Sequence, residues 1–189
     1  MAKLILIKHA SPEITPEVPS RRWVLSEEGR GRCAWLAAEL AAWGVTRLYA
    51  SPEPKALETA ALVAIRLGLE VRPREGLQEN DRTGLAFGSV GGLKANIRRF
   101  FAEPAELVVG QETANAALAR FEAAIRALAA EASEQTAAVV THGTVLTLLV
   151  AKHNPLDAFV FWDSLTLPSY VVIEPDRFRI DGPVHSFPG

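Results

Sequence analysis

The 189-residue sequence predicts an α/β fold with a mostly parallel central sheet. Short apolar runs alternate along the chain with longer segments whose apolar residues have helical spacing, which is the pattern of βαβ units. Residues 4–7 form such a run, and an apolar run without alternation suits a parallel strand that is buried on both faces. The length is typical of one domain, so residues 1–189 are predicted to fold as a single domain.

The helix after the first strand has well-marked ends. Ser26 suits an N-cap, Glu27 and Glu28 suit the first turn, and Gly44 suits the C-terminal stop. In chain order, the first part of the sequence predicts a strand at 4–7, a loop at 10–25, a helix at 27–43, a strand at 46–50, a helix at about 53–67 and a strand at 69–72.

Residues 75–111 interrupt this alternation, because they contain six glycines and no sustained periodicity. We expect an irregular insertion over the sheet and the site, with one short basic helix at 94–101. Beyond it, apolar spacing predicts a long helix through 117–128, a strand at 136–141, a helix at 144–153, a short helix at 156–163 and strands at 169–173 and 177–180.

The composition disfavours several classes of function. Twenty basic and 22 acidic residues give a net charge of −2, whereas nucleic-acid binders usually carry a basic excess. Cys33 is the single cysteine, so no intrachain disulfide forms, which fits a reducing compartment. The apolar runs are too short for a signal peptide or a membrane span. We therefore expect a cytoplasmic protein with no nucleic-acid and no membrane partner.

Two histidines occupy equivalent places in the predicted sheet. His9 follows the strand at 4–7, and His142 follows the strand at 136–141. Ligands bind beyond the carboxyl ends of parallel strands, so both imidazoles would face one crevice if their strands are neighbours. Lys8 adjoins His9, and Lys55 falls in the first turn of the helix after another strand. Positive groups that lie so close together repel one another unless an anion binds between them. The sequence therefore favours a phosphate as the ligand of this cluster.

These residue types suggest a chemistry. A neutral imidazole can act as a nucleophile, and nearby cations lower its pKa and keep it unprotonated. If the imidazole takes a phosphoryl group from a phosphate ester, an acid must protonate the alkoxide that leaves. Glu79, in the turn at 77–82, is the candidate for this acid. Gly143 directly precedes a predicted helix and would let the backbone approach a ligand closely.

Four motifs, in order over about 140 residues, resemble the signatures of the histidine phosphatase (phosphoglycerate mutase-like) superfamily. The Arg-His-Gly signature after the first strand has its counterpart in Lys8-His9-Ala10. The others are Leu-Ser-Glu-Glu-Gly at 25–29, Ser-Pro-Glu-Pro-Lys-Ala-Leu-Glu-Thr-Ala at 51–60 and Thr-His-Gly at 141–143, with a looser likeness of residues 110–113 to the Gly-Glu-Ser segment.

The resemblance implies a three-layer α/β/α sandwich and a phosphatase that hydrolyses a small phosphomonoester through a phosphohistidine on His9. His142 would act beside it, and Glu79 would be the acid. The residues that would bind phosphate are Lys8, Lys55, His142 and Gly143. The chain contains no His-x-x-x-His pair and no carboxylate-rich motif, so we expect no metal and no cofactor.

This sequence departs from the family pattern at both signature arginines, which are lysines here, and at Ala10, where the pattern has glycine. Lysine keeps the charge but lacks the planar, two-pronged donor of arginine. Two alternatives therefore stay open. One is a mutase of the phosphoglycerate mutase type, and the other is a weakly active or non-catalytic protein that binds a phospho-ligand. A homodimer is also left open.

Overall fold

The computed structural model describes residues 2–83, 90–108 and 110–188. Six strands form one sheet in the order β3-β2-β4-β1-β5-β6. The first four strands of this order run parallel, and β5 and β6 are antiparallel to their neighbours. The strands are β1 (Leu4–Lys8), β2 (Arg47–Ala50), β3 (Val71–Pro73), β4 (Ala137–Thr141), β5 (Ser169–Ile173) and β6 (His185–Ser186).

The helices begin and end where local chemistry favours it. Ser26 Oγ accepts a hydrogen bond from the Gly29 N–H at 3.0 Å, which caps the first helix as predicted. Gly68 ends the second with a φ of 66°, a left-handed conformation that suits glycine. The helices are α1 (Glu27–Ala42), α2 (Pro54–Leu67), α3 (Val90–Ala102), α4 (Ala114–Glu131), α5 (Gly143–His153) and α6 (Ala158–Ser164).

Helices cover both faces of the sheet. In β1, Ile5 and Ile7 pack with the apolar residues of α1 and α2, whereas Leu4 and Leu6 pack with those of α4 and α5. This division follows from the alternation of side chains along a strand. The predicted three-layer α/β/α sandwich with a mostly parallel sheet is confirmed.

The strand predicted at 177–180 is wrong. Phe178 has a φ of 54°, and its N–H donates to the Glu174 carbonyl at 2.8 Å, so the chain turns there. Only an isolated bridge joins Ile180 to Ile173, and the edge strand beside β5 is β6, nearer the C-terminus. Apolar residues at 177–180 predicted the strand, but a left-handed residue within the segment is incompatible with an extended strand.

The segment at 75–111 holds one helix in its described part, and that helix is longer than predicted. It extends over Val90–Ala102 instead of 94–101. Residues 84–89 and 109 of the predicted insertion lie outside the described residues. Across the part of the chain that the structure describes, no helix is both long enough and apolar enough to cross a bilayer.

Candidate active site

His9 and His142 meet at the carboxyl ends of two adjacent strands. Lys8 of β1 lies opposite Thr141 of β4, so the residue after each strand emerges at the same edge. The His9 N–H extends this pairing with a hydrogen bond of 3.1 Å to the Thr141 carbonyl. The two imidazole centroids are 5.3 Å apart, with the rings inclined at 65°. The prediction that the two histidines converge is confirmed.

The hydrogen bonding of His9 sets its tautomer. Nδ1 lies 2.7 Å from the Ala10 carbonyl, which can only accept, so Nδ1 carries the proton and Nε2 keeps its lone pair. Burial first, and then the neighbouring His142 and Lys55, hold the pKa of His9 well below its ordinary value. The Ala10 N–H donates to Thr59 Oγ1 at 3.1 Å, which ties this turn to α2. His9 is therefore a neutral imidazole with an unprotonated nitrogen.

His142 is the N-cap residue of α5 and is completely buried. Its Nε2 lies 2.8 Å from Ser51 Oγ, at the end of β2, the strand on the other side of β4. Its Nδ1 has no hydrogen-bond partner among the described residues. Burial, followed by the charge of Lys55, lowers the pKa of His142 well below its ordinary value.

Glu79 holds its carboxylate against the start of α5. The N–H groups of Thr144 and Val145 donate to its two oxygens at 3.1 and 3.2 Å. Burial by itself would raise the pKa of Glu79, but Arg82, His142 and the Thr144 N–H outweigh it and keep the pKa below its ordinary value. This carboxylate is therefore ionised at neutral pH.

Arg82, which lies outside the four motifs, brings a guanidinium to the site. Its terminal nitrogen donates to Thr144 Oγ1 at 2.8 Å and to Glu79 at 3.4 Å, and its Nε donates to Asn80 at 3.1 Å. Its position three residues after Glu79 was the signal in the sequence. The site therefore contains an arginine as well as two lysines.

Lys55 lies in the first turn of α2, as predicted, and its side chain is buried. Its Nζ donates to the Ser20 carbonyl at 2.8 Å and forms an ion pair with Glu53. The other oxygen of Glu53 accepts from the Glu79 N–H at 2.9 Å and lies 3.6 Å from His142 Nε2. Sequence reasoning assigned no role to Glu53 or Ser51, although both lie in the motif at 51–60.

Lys8 has a backbone carbonyl as its hydrogen-bond partner, and its predicted contact with phosphate stays a prediction. Its Nζ donates to the Leu165 carbonyl at 2.7 Å and lies 6.0 Å from the centre of the Trp162 ring. Its side chain passes over Gly143, where an added Cβ would lie 3.2 Å from Lys8 Cε, so this glycine gives the lysine room. Burial, partly offset by Glu79, lowers the pKa of Lys8 from 10.5 to about 8.

A cavity of about 1140 Å³ opens beside these groups. Glu53 and Glu79 line it, and both histidines are buried. Other walls come from the loop at 16–23 and from α3 residues, including Leu93 and Asn96. The interpretation of 75–111 as an insertion over the site remains a prediction.

Within residues 2–83, 90–108 and 110–188, no group of three His, Cys, Asp or Glu side chains is placed to hold a metal ion. The predicted absence of a metal stays a prediction. The arrangement that the structure does contain is a neutral imidazole beside cations and an ionised carboxylate, at the carboxyl end of a parallel sheet. Such an arrangement is chemically suited to a small anion, and it offers an unprotonated imidazole nitrogen.

The family of the chain agrees with this description. The family model for the histidine phosphatase superfamily (branch 1) matches residues 4–181, so the chain belongs to that superfamily. Among curated proteins, none matches the chain.

Several solved structures share the fold. The mycobacterial glucosyl-3-phosphoglycerate phosphatase matches with a TM-score of 0.80 and 18% identity, covering 100% of both chains. YhfR of Bacillus stearothermophilus matches with a TM-score of 0.79 and 22% identity, covering 100% of this chain and 98% of the other. A phosphoserine phosphatase variant from Entamoeba histolytica, in complex with phosphoserine, matches with a TM-score of 0.78 and 16% identity, covering 99% and 98%.

Proposed function

We propose that the protein is a phosphatase that hydrolyses a small phosphomonoester through a phosphohistidine on His9. The observation that carries this proposal is the tautomer of His9, whose Nδ1–H is engaged by the Ala10 carbonyl and whose Nε2 is an unprotonated nucleophile. Membership of the histidine phosphatase superfamily supports the same chemistry. The phosphatases that share this fold support a phosphorylated small molecule as the substrate.

The first half of the reaction forms the phosphohistidine. Nε2 of His9 attacks phosphorus, the N–P bond forms, and the P–O bond to the organic group breaks with its electron pair on oxygen. The cations of Lys8, Lys55 and Arg82 offset the charge on the phosphoryl oxygens. The leaving alkoxide takes a proton from Glu79 and departs as a neutral alcohol.

Glu79 must gain that proton before it can donate it. Its carboxylate is ionised at neutral pH, because Arg82 and the N–H groups at the start of α5 favour the charged form. A phosphoryl dianion beside it is a like charge, which raises the pKa of a carboxyl. Substrate binding therefore favours uptake of one proton from solvent by Glu79, and this is the proton that the alkoxide later receives.

The second half returns the enzyme to its starting state. The ionised Glu79 takes a proton from a water molecule, whose oxygen attacks phosphorus as the N–P bond breaks. Inorganic phosphate leaves, and the electron pair returns to Nε2 of His9. No step needs a metal ion, so we propose that hydrolysis is metal-independent. The single cysteine fits a reducing compartment, so we also propose that the protein works in the cytoplasm.

The experiment compares the wild type with His9→Ala on a panel of phosphomonoesters that includes p-nitrophenyl phosphate, with and without a chelator. We expect release of phosphate by the wild type, unchanged by the chelator, and loss of at least about a thousandfold in the variant. His153→Ala is the matched control, since His153 pairs with Glu122 away from the site. Release of phosphate by His9→Ala at the wild-type rate refutes the proposed nucleophile.

One observation favours a second candidate, a protein that binds a phospho-ligand without turning it over. The ion pair between Lys55 and Glu53 offsets one of the cations that would hold the transition state. Tight binding of phosphoserine or 3-phosphoglycerate, with no phosphate released across the whole panel, would favour this candidate over the phosphatase.

A further inference from the structure

Glu53 is a buried carboxylate at the centre of the predicted phosphate site. It is the N-cap residue of α2 and is only 8% exposed. A buried carboxylate is unfavourable unless charged or polar partners surround it. Glu53 has such partners on both oxygens, and all of them belong to the site.

The two oxygens of Glu53 have different partners. Oε2 pairs with the ammonium of Lys55. Oε1 accepts from the Glu79 N–H at 2.9 Å and lies 3.6 Å from His142 Nε2. The carboxylate therefore touches Lys55 and approaches His142, which are two of the groups predicted to bind phosphate.

Lys55 has little hydrogen-bonding capacity left for a ligand. An ammonium has three N–H donors, and the Ser20 carbonyl and Glu53 take two of them. The charge of Lys55 is likewise offset by its partner. A phosphoryl group that reaches Lys55 finds one remaining donor and a negative charge beside it.

We propose that Glu53 is an internal counter-anion, a positioning residue that competes with the phosphoryl group for Lys55 and weakens the binding of phosphate. This inference rests on the proposed function and deepens it. Because phosphate is also the product, weak binding favours its release. The enzyme then selects its substrate mainly through contacts with the organic group, which the cavity lined by Glu53 and Glu79 would hold.

The test measures inorganic phosphate binding to the full chain by isothermal titration calorimetry at constant pH and ionic strength. Glu53→Gln removes the charge and keeps the size of the side chain. We expect its dissociation constant for phosphate to fall about tenfold, because one negative charge near the anion is gone. Glu134→Gln is the matched control, since Glu134 is an exposed residue that does not line this cavity, and it should change the constant less than twofold.

A purely structural role of Glu53 makes the opposite prediction, because a loosened Lys55 would bind phosphate more weakly. Unchanged or weaker binding by Glu53→Gln overturns the proposal. If this variant fails to fold, Glu53→Ala decides by the same criterion. Failure of both to fold also overturns it, since the carboxylate would then serve the fold. Tighter binding by Glu53→Gln, in a protein whose wild type releases no phosphate from any ester, supports the counter-anion and refutes the phosphatase.

Discussion

Replacing Lys8 by arginine should change the response of the enzyme to alkaline pH. Burial lowers the pKa of the Lys8 ammonium from 10.5 to about 8. Its positive charge is therefore complete below about pH 7 and is lost as the pH rises through 8. A guanidinium stays charged throughout this range, because its pKa is above about 12.

The magnitude follows from the titration of one group. One pH unit above its pKa, about a tenth of the lysine is still protonated. If the charge of Lys8 supports phosphoryl transfer, kcat/KM of the wild type falls about tenfold between pH 7 and 9 through this group. The ratio of kcat/KM for Lys8→Arg to that of the wild type should rise by about the same factor.

The assay measures initial rates on p-nitrophenyl phosphate from about pH 6 to pH 9.5 for the wild type, Lys8→Arg and a control. The control is Lys94→Arg, the same exchange at a half-exposed lysine of α3 that pairs with Asp163. We compare kcat/KM of each variant with kcat/KM of the wild type at the same pH, because the effects of the ionisation of Glu79 and of the substrate then cancel in the ratio. A ratio that stays constant from pH 7 to 9.5 would refute the role of the Lys8 charge.

Two further predictions concern positioning and stability. Thr59→Val removes the acceptor for the Ala10 N–H, so we expect a loss of about 1–3 kcal/mol in the free energy of unfolding and a lower kcat, measured by urea unfolding and steady-state rates. For Glu122, burial would raise the pKa, but Lys152 and Arg126 outweigh it and lower the pKa from 4.5 to about 2. The stability that Glu122 contributes is therefore complete above pH 4.5 and is lost as the pH falls towards 2, so Glu122→Gln and the wild type should differ in unfolding free energy at pH 6 and converge at pH 2–3. An equal difference at both pH values would contradict this sign.

Much of the fold could be predicted because its signals are local. The apolar run at the start of the chain predicted β1, and Ser26 and Gly44 predicted the two ends of α1, which depend only on a few neighbouring residues. The strand at 177–180 was wrong for the same reason. Its composition favours an extended chain, but the left-handed Phe178 turns it, and β6 then occupies the edge.

The candidate site shows the same division. The order of the motifs placed His9 and His142 at two strand ends, and the parallel pairing of β1 with β4 then brought them together. The pattern could not show that Lys8 donates to the Leu165 carbonyl, because that contact joins residues far apart in the chain. The pattern also could not show that Glu53 pairs with Lys55. Both residues lie at the start of α2, where their long side chains can adopt several directions.

The sequence alone therefore determined the type of fold, the family and the pair of histidines, because strand periodicity, helix caps and motif order act over short stretches of chain. The tertiary structure alone decided the partners of the charged side chains. Arg82 donates a hydrogen bond to Glu79, and the charge of Lys55 is offset by that of Glu53. The physical reason is that a buried charge is stable only beside the groups that packing brings to it, and those groups come from separate strands, loops and helices.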